Sequence, residues 1–331
     1  MAAERATDAG APARDRLGAL RGRLSLPLIV APMFLVSGPE LVIAACRAGA
    51  IGSFPAPNAR PLEILETWMR RIDEELAAAA AAPAARVAPW SVNLVVHSSY
   101  DRLPAELELV RRYRPPVVIT ALGNPARVVD AVHGYGGLVL ADVGSIGMAR
   151  KAAQAGVDGL VLVCTGAGGH TGSVAPFVFV QAVRQFFDGI VALAGGICSG
   201  AAIRAAEVAG ADLADIGTLF IAARESLASD DYRRMVVESD VDDLVLSRAF
   251  TGADAYYLRA SIERSGLDPA NLAGKTAMDW SNSDQQLRAW KDIWSAGQSV
   301  AAVERVEGAA GIIARLREEY RRALQTPAFP T

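Results

Sequence analysis

The feature that most constrains this chain is an alternation of eight short apolar runs with amphipathic stretches. The runs are Leu26–Met33, Ala50–Phe54, Trp90–Val96, Val117–Leu122, Leu138–Asp142, Gly159–Cys164, Ile190–Ala194 and Leu213–Ile216. Uninterrupted apolar runs of this kind suit strands buried on both faces, as parallel strands are. Strands that alternate with helices define βα units. Between the runs, Leu41, Ala44, Ala45 and Ala48 recur at helical spacing before Gly49, and residues 146–155 and 201–209 read as helices too, the second closed by Gly210. Ser37 and Glu40 are spaced as a capping box for the first of these helices. A long helix is expected from Pro61 into the alanine run at 77–82. Eight such units predict an α/β fold, a closed (β/α)8 TIM barrel. The alternative, a doubly wound open sheet, favours a G-x-G-x-x-G loop after its first strand, where this chain has Ala31-Pro32-Met33.

Around the barrel, assigned to residues 24–225, the sequence divides into three further stretches. Residues 1–23 are a polar, Ala/Gly/Arg-rich tail, expected to be flexible. From 226 to 298 the strand pattern is lost, and a smaller helical domain over the substrate site is expected, inserted after the eighth strand. Within it Ser247–Gly252 and Tyr256–Arg264 read as helix or loop, and Trp280, Trp290 and Trp294 cluster near its end. Residues 299–331 supply a C-terminal helix, Ser299–Leu324, returning to the barrel as its eighth.

Composition narrows the partners. With 331 residues and 52% of them apolar, the chain fills a large core without covalent staples. The balance of 33 Lys and Arg against 36 Asp and Glu gives no basic field for nucleic acid. The N-terminus has charges throughout and no apolar h-region, and no stretch reaches about 18 apolar residues, which points to a cytoplasmic protein without a membrane partner. Cys46, Cys164 and Cys198 lie far apart without CxxC spacing, so neither a metal site nor a disulfide framework is expected.

The chemistry is expected at the C-terminal strand ends, where barrels of this kind carry their reactive groups. The sixth strand runs into Cys164-Thr-Gly-Ala-Gly-Gly-His-Thr-Gly172, a loop whose glycines, Gly168 and Gly169 among them, let backbone approach a ligand closely. The seventh ends at Gly195 and Gly196, the eighth in Asp215-Ile216-Gly217-Thr218. Glycines at both places suit a phosphate cup. Asn93, an amide inside an apolar strand, suits the polar edge of a heterocycle, and Met33 suits an apolar wall beneath a planar ring. Of three histidines, His97 reads as equally a mouth or a surface residue and His133 as a structural helix-end residue, leaving His170 as the candidate base or anion holder. No GxSxG elbow or carboxylate pair in the Gly loop offers an alternative, so the chemistry is assigned to a phosphate-bearing cofactor.

Together, Ala31-Pro-Met33, Ser91-Val-Asn93-Leu, Gly166-Ala-Gly-Gly-His170-Thr-Gly172, Ala194-Gly-Gly-Ile197 and Ile216-Gly-Thr218-Leu-Phe220 resemble the nitronate monooxygenase family, formerly the 2-nitropropane dioxygenases, over residues 24–300. Trp294-Ser-Ala-Gly-Gln298 is also similar to a family segment that approaches the active site. The resemblance implies FMN held non-covalently in a TIM barrel, with Asn93 and Gly168 at the flavin and Gly196, Asp215, Ile216, Gly217 and Thr218 giving backbone donors to its phosphate. It implies His170 near the flavin N5 as the catalytic residue. The implied reaction is oxidation of an alkyl nitronate by dioxygen to a carbonyl compound and nitrite; a homodimer is compatible with it. Many members carry Gln on the sixth strand and Glu before Ala-Gly-Gly-His, where this chain has Val163 and Gly166, so its loop is less polar. Two other readings stand beside it: an FMN-dependent NAD(P)H:quinone or enoyl-thioester reductase, and a non-redox phosphate-ligand-binding barrel.

Overall fold

The computed structural model describes residues 17–18, 21–82, 86–272 and 292–327. Eight parallel strands close into a barrel: β1 (Leu28–Val30), β2 (Ile51–Pro55), β3 (Trp90–Val95), β4 (Val117–Ala121), β5 (Leu138–Val143), β6 (Gly159–Val163), β8 (Ile190–Ala194) and β9 (Leu213–Ile216). β7 (Gly169–His170) lies outside that barrel. β1 closes on β9 through Leu28 against Ala214 and Val30 against Ile216. The predicted TIM barrel is therefore the observed one, and all eight predicted runs supply its strands.

Alternation along each strand splits the buried residues in two. Ile29, Ile51, Val117, Ile119, Leu138, Leu140, Val161, Ile190, Ala192 and Leu213 form the inner cluster, whereas Leu28, Val92, Val118, Val139, Leu160, Val191 and Ile216 pack outward against the helices. Leu17, 2% exposed, joins the inner cluster. Arg21 bonds Asp212, which also pairs with Arg184, and Arg23 Nε donates to the Val87 carbonyl at 2.8 Å. The end of the expected flexible tail is thus docked at these points, because a leucine buried in the barrel offsets the entropy of ordering it.

Several local expectations are revised. The first helix, Pro39–Arg47, begins at Gly38 without a side-chain cap. Ser37 Oγ instead accepts from Met33 N and donates to the Ala31 carbonyl, and Glu40 pairs with Arg71, so no capping box forms. The long helix runs Leu62–Ala80 and absorbs most of the alanine run. The final helix is shorter than expected, Ala309–Ala323 after a 3-10 turn at Gln298–Ala302, because a parallel bridge between Ala223 and Glu307 pins the intervening chain. It still covers the barrel: Gly200 of the Gly200–Ala209 helix approaches so closely that a Cβ there would stand 2.1 Å from the Leu316 carbonyl oxygen.

The segment after β9 differs more. It carries the helices Asp230–Glu238 and Arg259–Arg264, but also β10 (Leu244–Ser247) and β11 (Ala255–Leu258), an antiparallel pair where helix or loop was expected. These strands are short, and only one face is buried around Ala255 and Tyr257, which leaves too few apolar positions for the sequence pattern to betray them. Trp280 and Trp290 lie outside the described residues; Trp294 stacks on Tyr232 with ring centroids 4.8 Å apart. No helix among the described residues is long and apolar enough to cross a membrane.

Candidate active site

His170 sits on β7, and the structure gives that strand a partner the sequence did not suggest. β7 pairs antiparallel with β11, His170 opposite Ala255 and Gly169 opposite Tyr256. Around it Thr171 N donates to the Asp254 carbonyl at 2.9 Å, and Gly169 N donates to Ser295 Oγ at 2.8 Å. Ser295 Oγ in turn donates to the Tyr256 carbonyl at 2.6 Å. The Gly-rich loop is therefore clamped between the hairpin and residues 295–298. His170 Nε2 lies 3.1 Å from Thr251 Oγ1. Burial pulls the imidazole down to about 4, so it is neutral at pH 7 and able to accept a proton or donate a hydrogen bond.

The remaining loop glycines define the shape of the site. Gly166 has φ +88°, and a Cβ there would stand 2.6 Å from Gln298 Oε1. Space beside Gly166 is thus occupied by the Gln298 side chain, whose Nε2 reaches Tyr256 Oη at 3.4 Å. A Cβ at Gly168 would stand 2.7 Å from Gly297 N and 3.3 Å from Thr218 Oγ1, and one at Gly195 3.0 Å from Ala167 N. One at Gly217 would touch Met33 Sδ at 3.3 Å and Ala31 Cβ at 3.4 Å. Met33, Gly168, Gly195, Gly217 and Thr218 therefore come from four separate strand ends into two contacting groups. Gly196, at φ +70°, has open space where a Cβ would be. An open glycine in a left-handed conformation between β8 and its helix suits close approach of a phosphate, and these residues fit a phosphate-bearing flavin.

Two members of the expected set take another place. Asp215 and Ile216 belong to β9, where their backbone pairs with β1, so of that run only Gly217 and Thr218 lie beyond the strand. Ile216 faces outward, but Asp215 faces inward and is 9% exposed. Asn93, 6% exposed, stands across the barrel on β3, between Pro55 and Ile119 in register. Asp142 at the end of β5 belongs to the same inner surface and was not singled out from the sequence. The available signal was a carboxylate closing an otherwise apolar buried strand. Burial raises Asp142 to about 7; burial together with the charge of Asp142 holds Asp215 well above the usual carboxylate range.

The other histidines are accounted for elsewhere. His97 Nδ1 lies 2.7 Å from Ser99 Oγ, and His133 Nε2 lies 2.8 Å from Asp158 Oδ2, beneath β5. Cys46 and Cys164 are buried free thiols, both pushed up to about 12 by burial, which removes them as nucleophiles. Among the described residues no group of three His, Cys, Asp or Glu is placed to hold a metal ion.

A parallel barrel with glycines after β8 and β9 and a neutral histidine on the loop after β6 can seat a cofactor and a base, and comparison with known proteins makes the chain an oxidoreductase. The nitronate monooxygenase family model matches residues 21–316, and the chain belongs to this family of flavin-dependent oxidoreductases. A nitronate monooxygenase of Paraburkholderia phytofirmans is 27% identical, with 90% of this chain and 93% of that protein covered. An octahydro-indene-carboxyl-CoA dehydrogenase of Rhodococcus jostii is 26% identical over 76% of this chain and 67% of its own length. Among solved structures, nitroalkane oxidase from Streptomyces ansochromogenes superposes with a TM-score of 0.77 at 23% identity, covering 92% of this chain and 99% of that one, a likeness of fold.

Proposed function

We propose that this oxidoreductase binds FMN and oxidises an alkyl nitronate, or a similar small anion, with dioxygen as acceptor. The observation that carries the reading is His170, half-buried, neutral and fixed by Thr251 at the mouth of a barrel whose β8 and β9 loops each begin on glycine. FMN would be held by Gly195, Gly196, Gly217 and Thr218 at its phosphate, with Met33, Asn93, Gly168 and Gly169 lining the ring site. When bound, the flavin supplies the electron acceptor that passes reducing equivalents on to dioxygen.

The chain's own residues do the rest. The His170 imidazole accepts a proton from the substrate carbon or donates a hydrogen bond to a substrate oxygen, and Thr251 fixes which ring nitrogen faces the pocket. The hairpin and residues 295–298 pack on the Gly-rich loop and shield the imidazole from part of the solvent, which strengthens its hold on an anion. Gln298 and Tyr256, joined over Gly166, shape the polar side of the pocket in place of the family's Glu.

The Rhodococcus relative, named for a CoA thioester, supports a second reading, a reductase in which NAD(P)H is the electron donor and an enoyl thioester the acceptor. An anaerobic titration of FMN-loaded protein separates them: bleaching of the flavin by a nitronate supports the first, and bleaching by NADH or NADPH alone replaces it with the second.

A further inference from the structure

Inside the barrel, below the strand ends, polar groups accumulate that the reading above leaves without work. On β9 Leu213 faces the inner cluster while Ala214 and Ile216 face the helices, so Asp215 points inward. On β5 Leu138 and Leu140 face inward and Val139, Ala141 and Val143 outward, so Asp142 points inward too. The same alternation turns Ser53 on β2 and Ser91 on β3 inward, opposite each other in register. Asp215 Oδ1, Ser53 Oγ and Ser91 Oγ are all buried without a hydrogen-bond partner. Such groups destabilise a fold when left unsatisfied, so their retention together points to something that pairs with them.

Resting on the FMN reading, we infer that Asp142 and Asp215 form one acid pair sharing a proton, and that this pair is the hydrogen-bond donor the barrel interior presents to the acceptor atoms of the flavin ring. The surroundings favour the protonated pair. Among the described residues no cation offsets either group: burial alone acts on Asp142, and burial with Asp142 acts on Asp215. The inward neighbours on the strands between and beside them are Val161, Val163, Ala192, Ala194 and Ile29, none of them titratable; across the barrel stand Ser53, Ser91 and Asn93, and at the mouth His170, which is neutral. As pH rises and the pair ionises, a donor becomes a second unpaired negative charge facing ring acceptors, and binding of the ring weakens.

The experiment is FMN binding to apoprotein, followed by quenching of flavin fluorescence between pH 5.5 and 9, with difference infrared spectra of the loaded protein for a protonated carboxyl. The expected result is a dissociation constant that rises about tenfold across that range, with a carboxylic C=O band present at low pH and lost at high pH. Asp142→Asn/Asp215→Asn, which keeps amide donors that cannot ionise, should flatten the pH dependence and abolish the band. Tight FMN binding that ignores pH in the native protein, or native protein lacking the carboxyl band at pH 6, overturns the acid pair while leaving the FMN reading intact. Failure to bind FMN at any pH overturns both. The infrared result on native protein decides the matter even if the double variant fails to fold.

Discussion

The two ends of the barrel are built from the same strands and differ in almost everything else. At the N-terminal end Leu17 sits in an apolar cluster with Ile29, Val117, Ile190 and Leu213, and Asp212 ties Arg21, Arg184 and the Val191 N–H together. Every polar group in that cluster named here has a partner. Toward the C-terminal end the Ser53 and Ser91 hydroxyls and Asp215 Oδ1 are buried without hydrogen-bond partners, and the histidine hangs on a strand borrowed from outside the barrel. One end is satisfied and holds the fold; the other is left unsatisfied where it is expected to meet ligands.

The sharpest way to break this contrast is at His170. His170→Asn should cut turnover about 100- to 10,000-fold while FMN stays bound, read by steady-state kinetics beside flavin absorbance. Retained turnover would take the histidine out of the chemistry. The opposite end should show the opposite signature. Asp212→Ala takes the carboxylate from Arg184, which keeps its carbonyl partners, and from the Val191 N–H, and is expected to cost about 3–5 kcal/mol in urea unfolding, with kcat of the surviving folded enzyme unchanged. Gly166→Ala forces an L-residue into φ +88° against Gln298 and should cost about 1–2 kcal/mol in the same measurement, with a raised KM because Gln298 must shift.

The smallest expected effect concerns pH. The Asp142 carboxyl titrates near 3.8 when unconstrained and about 7 in the fold, so between those values the folded protein holds a proton that the unfolded chain has released. Stability of the apoprotein from this group is therefore fully present below the lower value and is lost as pH rises through the higher one. Asp142→Asn should melt at a higher temperature than the native apoprotein at pH 8 and gain nothing at pH 4. His170 acts in the other sense: its folded value lies below the free one of 6.5, so its contribution is complete above 6.5 and is lost as pH falls toward about 4.

The barrel was legible in the sequence because parallel strands announce themselves as unbroken apolar runs, and all eight did. The glycines after β6, β8 and β9 were legible for a related reason, since Gly166, Gly169, Gly195 and Gly196 take positive φ, and Gly168 and Gly217 sit where a Cβ would crowd Gly297 or Met33. What escaped was non-local. β7 is two residues long and exists only because β11, some 85 residues later, offers backbone partners, a pairing that carries no periodicity of its own. Asp142 and Asp215 read as strand ends and backbone donors, and only closure of the barrel turns both carboxylates toward the same interior. Gln298 gains its place over Gly166 through the same long-range folding.

The borrowed strand has a mechanical corollary. Because the hairpin 244–258 supplies the ladder on which His170 rests, any displacement of that hairpin carries the imidazole along. On the function proposed above, a substrate that entered by lifting that hairpin would find the proposed base drawn away with it, and only the seated hairpin would put the two together.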